Sequence, residues 1–187
     1  ELRRHLKPET EAFEALELRA GRGQLDTAAT QGVDALRDSW RQLPKPLRRL
    51  PALVACYAER LLQAGASSDA EAVLNDALKR DWSPALVELY GRTQGDDPRR
   101  QLSLAEGWLN THGDDAVLQR CLGRLALRNQ LWGVARERFE TSLRLFETQA
   151  EASSTRTDIA ETSAELGRLL LQLGERDAAA RCFERGL

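Results

Sequence analysis

The sequence predicts an all-α chain built from antiparallel helix pairs repeated in tandem, and two observations predict it. The first is composition. Among 187 residues Leu, Ala, Arg and Glu dominate, and aromatics make up only 5%. Unbranched side chains of this kind lose little rotamer freedom on a helix, and β-branched residues are too scarce to build sheets. The second is a pattern of small and large residues at fixed spacing. Cys121-Leu122-Gly123-Arg124 is followed by Ala135 twelve residues after the glycine, Phe139 four further on and Ser142 three beyond that. Glu165-Leu166-Gly167-Arg168 is followed by Ala179, Phe183 and Gly186 at the same offsets.

This is the tetratricopeptide pattern, in which small residues sit where the two helices of a repeat cross. Two weaker copies precede the strong ones. Tyr57-Ala58 leads to Ala70, Leu74 and Ala77, and Leu89-Tyr90-Gly91-Arg92 leads to Ala105 and Trp108. The anchors Ala58, Gly91, Gly123 and Gly167 are therefore 33, 32 and 44 residues apart. Leu122, Phe139, Leu166 and Phe183 are expected to fill the space between successive repeats. One repeat cannot bury its apolar face alone, so the array is expected to stack as a right-handed superhelix.

In chain order, residues 1–50 read as a degenerate helical hairpin, with helices over 8–31 and 33–43 closed by Pro44-Lys45-Pro46. It lacks the signature and is expected to pack on the first true repeat. Repeats follow over 51–83, 84–114, 116–149 and 160–187. Their helices are expected at 51–64, 69–80, 84–94, 98–111, 115–129, 132–146, 157–173 and 176–187. Ser83-Pro84 and Asp97-Pro98 each offer an N-cap residue followed by proline at the first helical position, where no N–H is needed. Gly65, Gly113 and Gly174 stand where helices should stop. The lengthened last interval contains the polar run 147–158, either an exposed loop between repeats or a helix extension.

Composition also excludes function classes. With 27 basic and 29 acidic residues the net charge is −2, which argues against a nucleic-acid binder. Cys56, Cys121 and Cys182 are odd in number and lack metal or disulfide spacing, which fits a reducing compartment. No apolar run approaches the ~20 residues needed to cross a bilayer. The sequence holds no methionine and reads as a piece of a longer protein.

No nucleophile elbow, phosphate loop or zinc-protease motif is present. Asp96-Asp97 and Asp114-Asp115 lie at helix starts, where they cap rather than catalyse. His5 and His112 have no second ligand at metal spacing and read as surface histidines. Cys56 and Cys121 stand two residues before a small anchor and read as packing residues. Trp40, Trp82, Trp108 and Trp132 read as wedges between repeats, with an exposed anchor for a partner as the alternative.

The recurring Gly-Arg step is the candidate site. It places Arg92, Arg124 and Arg168 at one equivalent position, and Arg120 and Arg128 share the helical face of Arg124. These five would form a basic stripe in a concave groove that grips a carboxylate-bearing peptide. The competing reading is that they pair with neighbouring acids.

The chain resembles the HemY family of proteobacterial haem-biosynthesis-associated tetratricopeptide proteins. The segments that carry the resemblance are Trp40-Arg41-Gln42-Leu43-Pro44, Ala77-Leu78-Lys79-Arg80-Asp81-Trp82-Ser83-Pro84, Leu89-Tyr90-Gly91-Arg92 and the run from Leu122 to Gly133. The resemblance implies a soluble C-terminal domain of an inner-membrane protein, anchored by an N-terminal segment outside this sequence, with the repeats on the cytoplasmic side. It also implies a non-catalytic scaffold whose partners are proteins or peptides, enzymes of late protohaem synthesis among them. The second function class is a haem- or porphyrin-binding chaperone of that pathway. No cofactor or metal is otherwise expected.

Overall fold

The computed structural model describes residues 2–148 and 153–186, and it divides into two compact units, Glu1–Gln94 and Gly95–Leu187. The division falls in the loop that joins the two helices of the second repeat. Among the described residues every regular element is helical.

The first unit contains α1 (Leu2–Thr30), α2 (Val33–Gln42), a single 3₁₀ turn at Leu47–Arg49, α3 (Pro51–Gln63), α4 (Ser67–Arg80) and α5 (Pro84–Arg92). α1 and α2 form a hairpin turned by Gly32, whose φ of 111° suits a residue without a Cβ. The hairpin packs on the first repeat. Leu53 of α3 lies so close to Gly21 that a Cβ there would sit 3.2 Å from its Cδ1. Trp40 stacks flat on Tyr57, with ring centroids 4.4 Å apart. Ion pairs Arg60–Asp26 and Arg37–Asp69 join α3 to α1 and α2 to α4. The buried residues of α3 and α4 include Ala58, Ala70, Leu74 and Ala77, the anchors of the weak first repeat.

The second unit contains α6 (Pro98–Gly107), α7 (Leu109–His112), α8 (Ala116–Arg128), α9 (Trp132–Thr148), α10 (Ser153–Gln172) and α11 (Arg176–Arg185). The single helix expected over 98–111 is broken at Trp108, whose N–H bonds the Ala105 carbonyl three residues back. Gly107, with its low helix propensity, precedes this tightening. Asp97 caps α6 by accepting from the N–H groups of Arg99 and Arg100, and Asp115 caps α8 by accepting from those of Val117 and Leu118.

The two strong repeats are closed by one contact each. A Cβ on Gly123 would meet the Phe139 ring at 2.7 Å, and one on Gly167 would meet the Phe183 ring at 2.6 Å. The aromatic thus seats on the glycine of its own repeat, where the helices cross. Phe139 also joins the next repeat, in a buried cluster with Ala126, Ala135, Leu143, Leu166, Leu169 and Ala179. Phe183 stays 36% exposed, so its main contact is within its own repeat rather than between repeats.

The turns inside three repeats share a geometry. Residues Gly65, Gln130 and Gly174, each seven after its anchor, take positive φ. In each case the next N–H reaches back to the carbonyl five residues earlier, as Ala66 to Leu61, Leu131 to Ala126 and Glu175 to Leu170. This closes the helix end in a Schellman arrangement. Gly113, also expected to end a helix, does so with a right-handed φ of −58°.

The long interval before the last repeat is helix extension wherever it is described. α3, α5 and α8 begin seven residues before their anchors, at Pro51, Pro84 and Ala116, whereas α10 begins fourteen before, at Ser153. α9 runs on through Glu147 to Thr148. Residues 149–152 lie outside the described residues.

Candidate interaction site

α8 and α10 are the first helices of consecutive repeats, and their facing sides carry opposite charge. Arg120 and Arg124, one turn apart on α8, meet Asp158, Glu161 and Glu165, spaced three and four residues apart on α10. Arg120 is only 2% exposed. It donates to the Asp158 carboxylate at 2.7 Å, to the Asp158 carbonyl at 3.2 Å and to the Thr162 hydroxyl at 3.3 Å. Its guanidinium also lies 5.2 Å from the centroid of the Phe146 ring. Arg124 donates to Glu165 at 2.6 Å through Nη2 and at 2.9 Å through Nε, and to Glu161 at 3.1 Å.

This changes the role of two arginines read as a ligand-gripping stripe. Arg120 and Arg124 are spent inside the fold, because the next repeat brings carboxylates against them before any partner arrives. Such buried pairs are satisfied only when geometry supplies several hydrogen bonds to each charge, as it does here. Arg128 is half-buried one turn on. Burial pushes its guanidinium below the ordinary arginine value; Cys121 and Glu165 oppose that shift and Arg124 adds to it. Arg92 lies in the first unit, exposed and paired with Glu88 at 2.8 Å. Arg168 is exposed on α10. Within the second unit, then, Arg120 and Arg124 are enclosed, Arg128 is half-buried and Arg168 is exposed.

Of the residues read as packing residues, Phe183 is 36% exposed. Leu122, Gly123, Ala135, Phe139, Leu166, Gly167 and Ala179 are buried, as are Ala58 and Gly91 in the first unit. Cys56 and Cys121 are buried too, and burial pushes the Cys56 thiol up. Among the described residues no group of three His, Cys, Asp or Glu is placed to hold a metal. His112 is half-buried at the end of α7, and the side chain of His5 lies outside the described residues. Trp40 wedges α2 onto α3, while Trp132 is 40% exposed at the start of α9.

The chain resembles HemY. It is 26% identical over 130 residues to Protein HemY of Escherichia coli strain K12, and the same figures hold for Protein HemY of Shigella flexneri. The match covers 69% of this chain, which spans about a third of the length of these curated relatives. No protein-family model matches the sequence. Among solved structures, a crystal structure of MamA aligns with a TM-score of 0.53 and 15% identity, over 82% of this chain and 85% of that one. MamA 41-end from Desulfovibrio magneticus RS-1 aligns with a TM-score of 0.52 and 15% identity, over 91% of this chain and 93% of that one. The MamA likeness is one of fold, all-α and tetratricopeptide-like.

Sequence reasoning kept pairing with acids as the competing reading for the α8 arginines but did not name the acids. A signal for them exists: Asp158, Glu161 and Glu165 form a single acidic face at helical spacing. It is masked because Asp158 falls inside the polar run 147–158, whose composition suits a loop as well as a helix.

Proposed function

We propose that this chain is a non-catalytic repeat scaffold for protein–protein contacts, carried by a longer protein tethered to the bacterial inner membrane. In this reading it regulates late protohaem synthesis by holding enzymes of that pathway, with its repeats on the cytoplasmic side. The observation that carries the reading is the recurrent closure of helix pairs by Gly123 on Phe139 and Gly167 on Phe183. Packing of this kind builds an array that presents helix faces to a partner rather than a catalytic cleft. The similarity to HemY supports the choice of pathway. No described helix is long and apolar enough to cross a membrane, and in this reading the tether lies in sequence outside this chain.

Of the five arginines, Arg92, Arg128 and Arg168 stay candidates for the partner-facing surface, and Arg168 is exposed where Arg128 is half-buried. The experiment is crosslinking and affinity capture of the full-length protein from its native membrane, with Arg168→Glu as the surface variant. Enrichment of haem-pathway enzymes, reduced by Arg168→Glu, supports both the scaffold and the site. Capture with no such enzyme above a mock control overturns the pathway assignment. Capture unchanged by the variant removes Arg168 from the site.

A further inference from the structure

The first unit contains a cavity of about 450 Å³ whose lining carries two arginines and one aspartate. It opens where the 3₁₀ turn and the start of α3 meet the end of α4 and the first turn of α5, and it is lined by Arg49, Pro51, Ala77, Arg80, Asp81 and Leu86. Two sequence runs far apart in the chain converge here. One supplies Arg49 and the other Arg80. Arg49 and Arg80 are exposed, and neither forms an ion pair among the described residues. Elsewhere in this unit Arg37, Arg41, Arg60 and Arg92 each have a carboxylate partner. Beside Arg49, the Nε of Arg48 is buried without a hydrogen-bond partner among the described residues. The turn thus carries more positive charge than its own acids answer, in a chain whose net charge is −2.

We propose that this cavity binds an acidic peptide segment of a partner protein. It deepens the scaffold reading and rests on it. Arg49 and Arg80 each present a planar fork suited to bidentate capture of a carboxylate. Pro51, Ala77 and Leu86 give an apolar floor for a side chain next to those carboxylates. The volume lies within the ~300–1,000 Å³ of ordinary ligand sites, enough for a short stretch of peptide. Asp81 separates a peptide from a nucleic acid as occupant. Its carboxylate can accept a peptide N–H, but it repels a phosphodiester chain, and the wall offers no aromatic face for a base to stack on.

The test uses the 187-residue chain and a fluorescein-labelled hexapeptide, Glu-Glu-Leu-Glu-Glu-Leu, read by fluorescence anisotropy. Saturable binding is expected, weakened several-fold on raising salt from about 50 to about 500 mM, because the exposed charges are screened. Arg49→Glu with Arg80→Glu is expected to weaken binding by at least about tenfold, with unchanged far-UV circular dichroism. Arg181→Glu, exposed on α11 in the second unit, is expected to leave it within about twofold. Three results overturn the site: no binding by the native chain, equal binding of the Gln-for-Glu peptide, or a charge-reversed double variant that binds as before. A single-stranded oligonucleotide that displaces the peptide at lower concentration than the unlabelled peptide itself also overturns it. If this site fails while affinity capture from membranes still finds partners, only the cavity assignment falls.

Discussion

Replacing Gly123 by alanine sets two opposed effects against each other, and the structure decides the sign. Alanine in a helix interior is favoured over glycine by about 1 kcal/mol, so propensity alone predicts stabilisation. The new Cβ, however, would stand 2.7, 2.8 and 3.0 Å from three carbons of the Phe139 ring. Ordinary carbon contacts lie near about 3.5–4.0 Å, so the ring must retreat by nearly an ångström. Phe139 is fully buried against Ala135, Leu143 and Leu166 and has nowhere to go. Overpacking of that kind costs about 1–3 kcal/mol, and a fully enclosed ring belongs near the upper end. The net expectation is destabilisation by about 2 kcal/mol.

Two companion variants make the reasoning refutable. Gly23 lies within α1, and a Cβ added there would meet nothing within 4 Å, so Gly23→Ala should stabilise by about 0.5–1 kcal/mol. Gly167→Ala meets Phe183 at 2.6 Å, a similar clash, but that ring is 36% exposed and can swing outward. It should come out close to neutral. The assay is urea unfolding followed by circular dichroism and tryptophan fluorescence, comparing midpoints at constant slope. A Gly123→Ala chain as stable as the native one, or a Gly167→Ala chain losing just as much, would refute the claim that enclosure of the ring sets the cost.

Arg124→Ala should destabilise by about 3 kcal/mol in the same assay, since it strands Glu165 in a largely buried site. Arg37→Ala, which removes exposed ion pairs to Asp34 and Asp69, should move the midpoint little; comparable losses would mean burial is irrelevant here. Asp115→Ala should cost about 1 kcal/mol by uncapping α8, and Asp115→Asn should recover most of it. Gln130→Gly should stabilise by about 1 kcal/mol, because an L-residue is held there at φ 59°; a loss would mean the side chain makes a compensating contact. Titration with haem should give no saturable Soret shift, and a shift abolished by His112→Ala would favour the haem-chaperone function instead.

Most helix boundaries were legible because they are set locally. Pro51, Pro84 and Pro98 occupy first helical positions, and the glycines at 65 and 174 take the left-handed turn that glycine favours. Gln130 performs the same turn without the glycine, so only its spacing of seven from Gly123 could have betrayed it. The small-to-large pairing was legible as pattern, but its address was not. Spacing alone cannot say whether Phe139 faces its own repeat or the next, and the ring does both. The arginines were the least legible. Gly91-Arg92, Gly123-Arg124 and Gly167-Arg168 are identical as dipeptides, yet Arg124 is buried while Arg92 and Arg168 are exposed. Arg124 owes its burial to α10, whose Glu161 and Glu165 meet it from 37 and 41 residues away, beyond any local window.

The burial of Arg120, one turn before Arg124, traces back to the irregular spacing. α10 starts fourteen residues before its anchor where α3, α5 and α8 start seven before, so two extra turns precede the ordinary helix. Asp158, nine residues before Gly167, lies in those added turns, and it supplies both a carboxylate and a carbonyl to Arg120. A helix of the usual length would begin near residue 160 and leave Arg120 without either acceptor. A guanidinium 2% exposed would then be left with the Thr162 hydroxyl at 3.3 Å and the longer ion pair to Glu161 at 3.8 Å, a weaker set for a buried charge. The 44-residue interval and the buried arginine are therefore one feature. The additional turns of α10 let an arginine serve as a packing residue between the last two repeats, rather than as a contact for a partner.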